Sequence, residues 1–165
     1  MHGRPPITEE TIKTIHFLIT KSLPDDYIPG QYRASQNCVV DRLSGRRLFF
    51  APDAERVPEL MREFIQWFNA QGGLHSVYRA ALAHLNFVAI HPVIDGNGRT
   101  ARVLETLVMY VSGYRAQVLV SLEAYFGRDR QAYYQSLSSA LGPRFAPEAA
   151  DVTPWVDYSL QAHVQ

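Results

Sequence analysis

Apolar side chains recur at helical spacing over most of this chain and at strand spacing in one short stretch. From Ile7 to Leu23, the positions Ile12, Ile15, Leu18 and Ile19 follow a helical period. Thr8, followed by Glu9 and Glu10, suits the start of that helix: a side-chain oxygen and two acids near the positive end of the dipole. Pro24 stops it, and Asp25 to Gly30 reads as a loop. Val57 to Asn69 predicts a second helix burying Leu60, Met61, Phe64, Ile65 and Phe68, closed by Gly72-Gly73. His75 to Ile90 is alanine-rich, with Leu82, Leu85 and Phe87 for a core. Arg99 to Val111 carries Val103, Leu104, Leu107, Val108 and Val111 around much of its girth, which predicts a central helix closed by Gly113. A short Val120 to Tyr125 element precedes a helix over Arg128 to Ala140. Gly142 to Asp151 reads as a loop, and Thr153-Pro154-Trp155 opens a last helix with proline where it is tolerated.

The strand signal is confined to Cys38 to Phe50. Val39 and Val40, the segment Asp41 to Gly45, then Leu48, Phe49 and Phe50 predict one hairpin. An isolated hairpin is marginal in water, so this one must lean on helices. It is either a surface excursion or an exposed edge for a partner chain. The expected fold is all-α: a single helical domain over residues 1–165 carrying one β-hairpin.

Composition narrows the function. Apolar residues make up 47% of the 165 and charged residues 19%, as in a globular chain. The formal net charge is +0, without a basic block, so nucleic acid is not an expected partner. No apolar run reaches membrane-span length and the first residues do not form a secretory signal, so a cytoplasmic protein without a membrane partner is expected. Cys38 is the only cysteine, which excludes an internal disulfide.

The chemistry gathers in His91-Pro92-Val93-Ile94-Asp95-Gly96-Asn97-Gly98-Arg99-Thr100-Ala101-Arg102. Pro92 disfavours right-handed helical angles at His91, so the preceding helix should end there with the imidazole on a rigid elbow. A neutral imidazole can take a proton from a hydroxyl near physiological pH. The plainer role is a histidine hydrogen-bonded at a helix end. Gly96 and Gly98 flank Asn97 ahead of the next helix, whose unpaired amides and dipole favour an anion. Arg99 and Arg102 lie three apart on one helix face and suit phosphate oxygens by geometry and charge. Otherwise they form a solvated face or pair with carboxylates such as Glu105. Asp95 is placed to hold Mg²⁺ beside phosphates, or to bond its own backbone as a turn aspartate. Base, carboxylate, anion nest and arginines together describe a site that moves a nucleotide's phosphate. A metal-dependent hydrolase using His91 and Asp95, perhaps with His84, is the second enzyme reading, and a silent binding module the third.

This segment resembles the signature of the Fic family of protein adenylyltransferases (AMPylators), His-Pro-Phe-x-Asp/Glu-Gly-Asn-Gly-Arg-x-x-Arg. His91, Pro92, Asp95, Gly96, Asn97, Gly98, Arg99 and Arg102 match, and Val93 stands where the family usually has a buried phenylalanine. Gly30-Gln31-Tyr32-Arg33 is similar to the element before the family's flap hairpin, Phe87-Val88-Ala89-Ile90 to the helix entering the motif, and Tyr133-Tyr134 to a tyrosine pair beside the adenosine in some members. The resemblance implies a mostly helical domain with a hairpin flap, transferring AMP from ATP to a Ser, Thr or Tyr hydroxyl of a target protein with release of pyrophosphate. It implies His91 as base, Asp95 on Mg²⁺, and the loop amides of Gly96 and Gly98 with Asn97 at the phosphate charge. Arg99 and Arg102 would sit on the β- and γ-phosphates. Val39, Val40, Arg46, Arg47 and Leu48 would line a flap that clamps the target. De-AMPylation, or transfer of another nucleotide, is the alternative for the same site. Leu141 falls near an adenine-contacting asparagine of some members, which leaves the base open. Many members are restrained by a helix bearing Ser/Thr-x-x-x-Glu-Gly/Asn. No such stretch precedes the hairpin or follows the motif, so that inhibitory helix is expected from a missing segment or a separate partner.

Overall fold

The computed structural model describes residues 6–23, 28–40, 45–70, 73–114, 122 and 124–163. Six longer helices and a two-stranded hairpin order its described part: α1 (Glu9–Thr20), β1 (Cys38–Val40), β2 (Arg47–Phe50), α2 (Val57–Asn69), α3 (Ser76–Ile90), α4 (Asn97–Val111), α5 (Arg130–Leu141) and α6 (Thr153–His163). The all-α expectation with one hairpin holds. Short 3₁₀ turns lead into α2 and fill the loop after α5. The helical residues 124–128 take in the end of the expected Val120 to Tyr125 element, most of which lies outside the described residues. So do most of the Asp25 to Gly30 loop and the hairpin turn at 41–44.

Local signals account for the helix starts. Thr8 and Thr11 exchange side-chain-to-backbone bonds in a capping box ahead of α1. Asp129 accepts from the Ala132 amide to open α5. α3 and α4 share more contact than any other pair of elements, and α3 is buried almost all round, from Ala80 to Ile90. The Trp155 indole, fully buried, donates to the Ala81 carbonyl at 2.7 Å and fastens α6 across α3.

Two helices sit differently from their apolar pattern. On α1 the buried residues are Ile12, His16 and Thr20, while Phe17 and Leu18 are exposed. α1 also stops at Thr20, short of the expected Leu23. On α4, which starts two residues before the expected Arg99, the buried stripe is Asn97, Thr100, Ala101, Leu104, Glu105, Val108 and Met109; Val103, Leu107 and Val111 are only part-buried. In both cases polar side chains turn inward to serve the motif loop or a buried network.

The hairpin pairs Cys38 with Phe50, Val39 with Phe49 and Val40 with Arg47, and the register slips between Val39 and Val40, passing over Leu48. Phe49 points into the core. The far edge of β2 is closed at Phe50, whose amide donates to the Pro143 carbonyl and whose carbonyl accepts from the Phe145 amide. The hairpin therefore leans on the loop after α5 as well as on helices.

Candidate active site

His91 sits at the C-terminal cap of α3 with φ 51° and ψ 55°. It is the one non-glycine with positive φ among the described residues. Pro92 bars the right-handed helix, as expected, but the backbone turns left-handed rather than extended. That conformation costs about 1–2 kcal/mol for a residue with a Cβ, so neighbouring bonds must hold it. The His91 amide donates to the Phe87 carbonyl at 3.0 Å, and the His91 carbonyl accepts from Arg33 Nε at 2.8 Å. The half-buried ring lies with Nδ1 3.2 Å from the Val88 carbonyl. A carbonyl only accepts, so Nδ1 carries the proton and Nε2 keeps the lone pair. Burial pushes the imidazole down to about 4, against a small opposing pull from that carbonyl.

Arg33 organises the elbow. Buried to 3% exposure, it donates through Nε to His91, through one terminal nitrogen to the Ser35 carbonyl and through the other to the Pro52 carbonyl. Its own amide donates to the Pro92 carbonyl at 2.9 Å. A guanidinium fork suits three carbonyls in one plane, where an ammonium would not. Asn37, at the foot of β1, donates to the Val93 and Ile94 carbonyls at 3.3 Å each, which ties the hairpin to the motif loop.

α1 supports the other side of the loop. His16 Nδ1 accepts from the Gly30 amide at 2.9 Å, so the proton is on Nε2, which donates to the Asp95 carbonyl at 2.9 Å. Burial lowers this imidazole as well and favours the neutral form the two bonds require. Gly96 has φ 85° and lies so close to α1 that a Cβ there would meet Thr20 Cγ2 at 2.9 Å. Glycine is needed here for its backbone angle and for the contact.

Gly96 is also the N-cap of α4, and no side chain caps the helix. The amides of Asn97, Gly98 and Arg99 are thus the unpaired first donors of α4, the anion-binding end the sequence predicted. The Gly96 amide is not among them, because Asp95 Oδ1 accepts from it at 2.6 Å. Asp95 Oδ2 in turn accepts from Arg99 at 3.0 Å, with both side chains well exposed. Both plain alternatives, a turn aspartate and an arginine salt bridge, are therefore realised, although Arg99 pairs with Asp95 and not with Glu105. Neither bond fills the Asp95 carboxylate, which also borders a cavity of about 330 Å³ between α1 and the loop.

Two expectations are corrected by the side chains. Asn97 was expected at phosphate, but it is 4% exposed; its Oδ1 accepts from the Val93 amide and its Nδ2 donates to the Val93 carbonyl at 2.7 Å. Its amide group braces the loop where the family's phenylalanine would anchor it. Tyr133 was expected beside a nucleoside, but it is 4% exposed, with its hydroxyl 2.9 Å from His84 Nε2 under α4. Tyr134 is about half exposed, with its ring centroid 5.3 Å from that of Tyr133. Arg102 lies over Tyr133, its guanidinium carbon 5.9 Å from the ring centroid. His84 is fully buried and its Nδ1 lies 2.7 Å from Glu105, so it is no ligand partner for His91. No group of three or more His, Cys, Asp or Glu residues able to hold a metal occurs among the described residues, which leaves the hydrolase reading without a shell.

Residues 6–109 match the Fic/DOC family. The chain belongs to that family. Among curated Fic/DOC relatives it is similar to protein adenylyltransferase fic-1 of Caenorhabditis elegans, 37% identical over 106 residues, 63% of this chain and 18% of that one. It is also similar to protein adenylyltransferase Fic of Drosophila grimshawi, 36% identical over 101 residues, 60% of this chain and 18% of that one. The matched region thus spans about a fifth of the length of these curated relatives. Among solved structures, a Fic family protein from Desulfovibrio desulfuricans G20 superposes with TM-score 0.76 at 29% identity, covering 94% of this chain and 44% of that chain. A Fic domain containing signaling protein from Bacteroides thetaiotaomicron VPI-5482 gives TM-score 0.70 at 26% identity, covering 96% of this chain and 61% of that chain. The Fic/DOC motif loop was legible in the sequence; the supports supplied by His16 and Asn37, and the carbonyl-binding role of Arg33, were not. Each is a side-chain-to-backbone bond across many residues, and only the Gly30 to Arg33 stretch carried any signal.

Proposed function

We propose that this chain is a protein adenylyltransferase that transfers AMP from ATP to a Ser, Thr or Tyr hydroxyl of a target protein. The observation that carries the reading is the neutral His91, its Nδ1 proton spent on Val88, standing just before the uncapped start of α4 with Arg99 and Arg102 on the following turns. His91 Nε2 takes the target hydroxyl's proton, and the oxygen attacks the α-phosphorus. The bond to the bridging oxygen of the β-phosphate breaks, and pyrophosphate leaves. The amides at the start of α4 stabilise charge on the phosphate oxygens, and Arg99 and Arg102 hold the β- and γ-phosphates.

A lone carboxylate with spare lone pairs fits Mg²⁺, which takes few protein ligands and completes its shell with phosphate and water. Asp95 is the residue that would hold it, and the ion would neutralise phosphate charge there. Arg99 and Asp95 pair with each other at 3.0 Å, and Mg²⁺-ATP offers each a partner of opposite sign. Closure of the β2 edge at Phe50 directs strand addition to β1, so Val39, Val40, Arg46, Arg47 and Leu48 are assigned to seating the target. Tyr134, with its exposed ring, keeps a place against the nucleoside. The inhibitory glutamate is assigned to another segment or a separate partner.

Incubation with ATP labelled on the α- or γ-phosphate tests the reaction. Label on protein from the α position alone supports it; γ label on protein would make the chain a kinase instead. The pH profile tests the base. Because burial holds His91 down at about 4, kcat/KM should stay flat from roughly pH 8 to pH 6 and fall only near 4. An acid limb at the ordinary imidazole value of 6.5 would contradict that assignment.

A further inference from the structure

A buried polar chain beneath α4 has no part in the chemistry above. Glu105 and Ser159 are 0% exposed, as is His84, and Tyr133 is 4% exposed. Glu105 Oε1 accepts from Ser159 Oγ at 2.7 Å, and Oε2 lies 2.7 Å from His84 Nδ1. His84 Nε2 lies 2.9 Å from the Tyr133 hydroxyl, and Arg102 hydrogen-bonds Tyr133 while covering its ring. His163 Nε2, near the end of α6, is 3.3 Å from Oε1 outside hydrogen-bond geometry.

Polar satisfaction fixes the direction of every proton in this chain. Arg102 can only donate, so the Tyr133 oxygen accepts from it. The Tyr133 proton then needs an acceptor, and His84 Nε2 is the atom in reach. His84 must therefore be neutral with its proton on Nδ1, which donates to Glu105. A cationic His84 would leave the buried Tyr133 proton facing two donors. Burial pushes the Glu105 carboxyl up, but the bonds from the groups around it outweigh that and hold it well below the usual range, as a carboxylate. The resulting order is Arg102 to Tyr133 to His84 to Glu105, each bond polarised by the carboxylate at its end. Arg102 and Glu105 are three apart on α4, yet the connection runs out through α5 and α3 and back.

We propose that Tyr133, His84 and Glu105 form a positioning relay that fixes the Arg102 guanidinium for the terminal phosphates of the nucleotide. This rests on the placement of Arg102 at those phosphates under the proposed function. Long arginine side chains lose considerable freedom on binding, and a guanidinium already anchored on one edge loses less. Tyr133 touches no substrate in this scheme; it acts through Arg102.

Binding of ATP and of AMP by calorimetry, with Mg²⁺, separates a relay from simple core packing. Tyr133→Phe keeps the ring and removes only the hydroxyl. The relay predicts roughly tenfold weaker ATP binding, the scale of one lost hydrogen bond to a charged group, with AMP binding unchanged. Equal ATP affinity in a folded variant, or an equal loss for ATP and AMP, would overturn it. No ATP binding by the parent chain would instead overturn the placement of Arg102 itself. Should Tyr133→Phe not fold, imidazole nitrogen NMR of the parent at neutral pH reads the relay without substitution. A neutral His84 protonated on Nδ1 supports it, and a cationic His84 breaks it.

Discussion

His91→Ala is expected to lower the rate of AMP transfer by roughly 10²–10⁴-fold, the span a positioned general base contributes. The loss should fall on kcat, with ATP affinity unchanged, because the phosphate-binding groups are the α4 amides and the two arginines. Three features of the residue act together. Left-handed backbone angles set the elbow, the bond to Val88 fixes the tautomer, and burial keeps the ring neutral over the working pH range. His91→Asn is the sharper comparison, since asparagine tolerates the left-handed conformation while supplying no base. It should match the alanine variant in rate and exceed it in melting temperature. Transfer by either variant at the parent's rate, in a quench-and-label time course, would remove His91 from the chemistry.

Arg33→Met is expected to be the most damaging single change to stability, about 3–5 kcal/mol. The side chain is almost wholly buried and bonds the carbonyls of His91, Ser35 and Pro52. Methionine fills much of the volume but leaves those carbonyls without their donors, each of which costs about 1–3 kcal/mol when buried and unpaired. Arg33→Lys should rescue only part, because a single ammonium cannot meet three divergent acceptors. Urea unfolding monitored by tryptophan fluorescence gives the number. A loss below about 1 kcal/mol would mean that the carbonyls find other donors, and that the His91 elbow does not depend on this guanidinium.

Much of the architecture could be read from periodicity, because the apolar residues of α2 and α3 do face the core. The motif loop could be read from its density of chemical types. What the sequence hid is the set of polar residues that turn inward. His16 and Thr20 occupy the buried stripe of α1, where an apolar pattern points instead to Leu18. His16 does so to reach a carbonyl 79 positions away, and Arg33 reaches one 58 positions away. A side chain that bonds a distant backbone atom leaves no period and no local spacing to detect. The same limit misplaced Asn97 and Tyr133. Their residue types suited phosphate and nucleoside, but the nearest unsatisfied groups were the Val93 backbone and the His84 ring. The left-handed turn at His91 was half legible: Pro92 ruled out one conformation and could not choose between the others.

Intact-mass spectrometry of the isolated chain after incubation with Mg²⁺ and ATP tests the proposed transfer most directly. The account predicts a gain of one AMP on the parent chain and none on His91→Ala. A phosphate-sized gain, an AMP adduct that persists without His91, or an unmodified parent chain would contradict it.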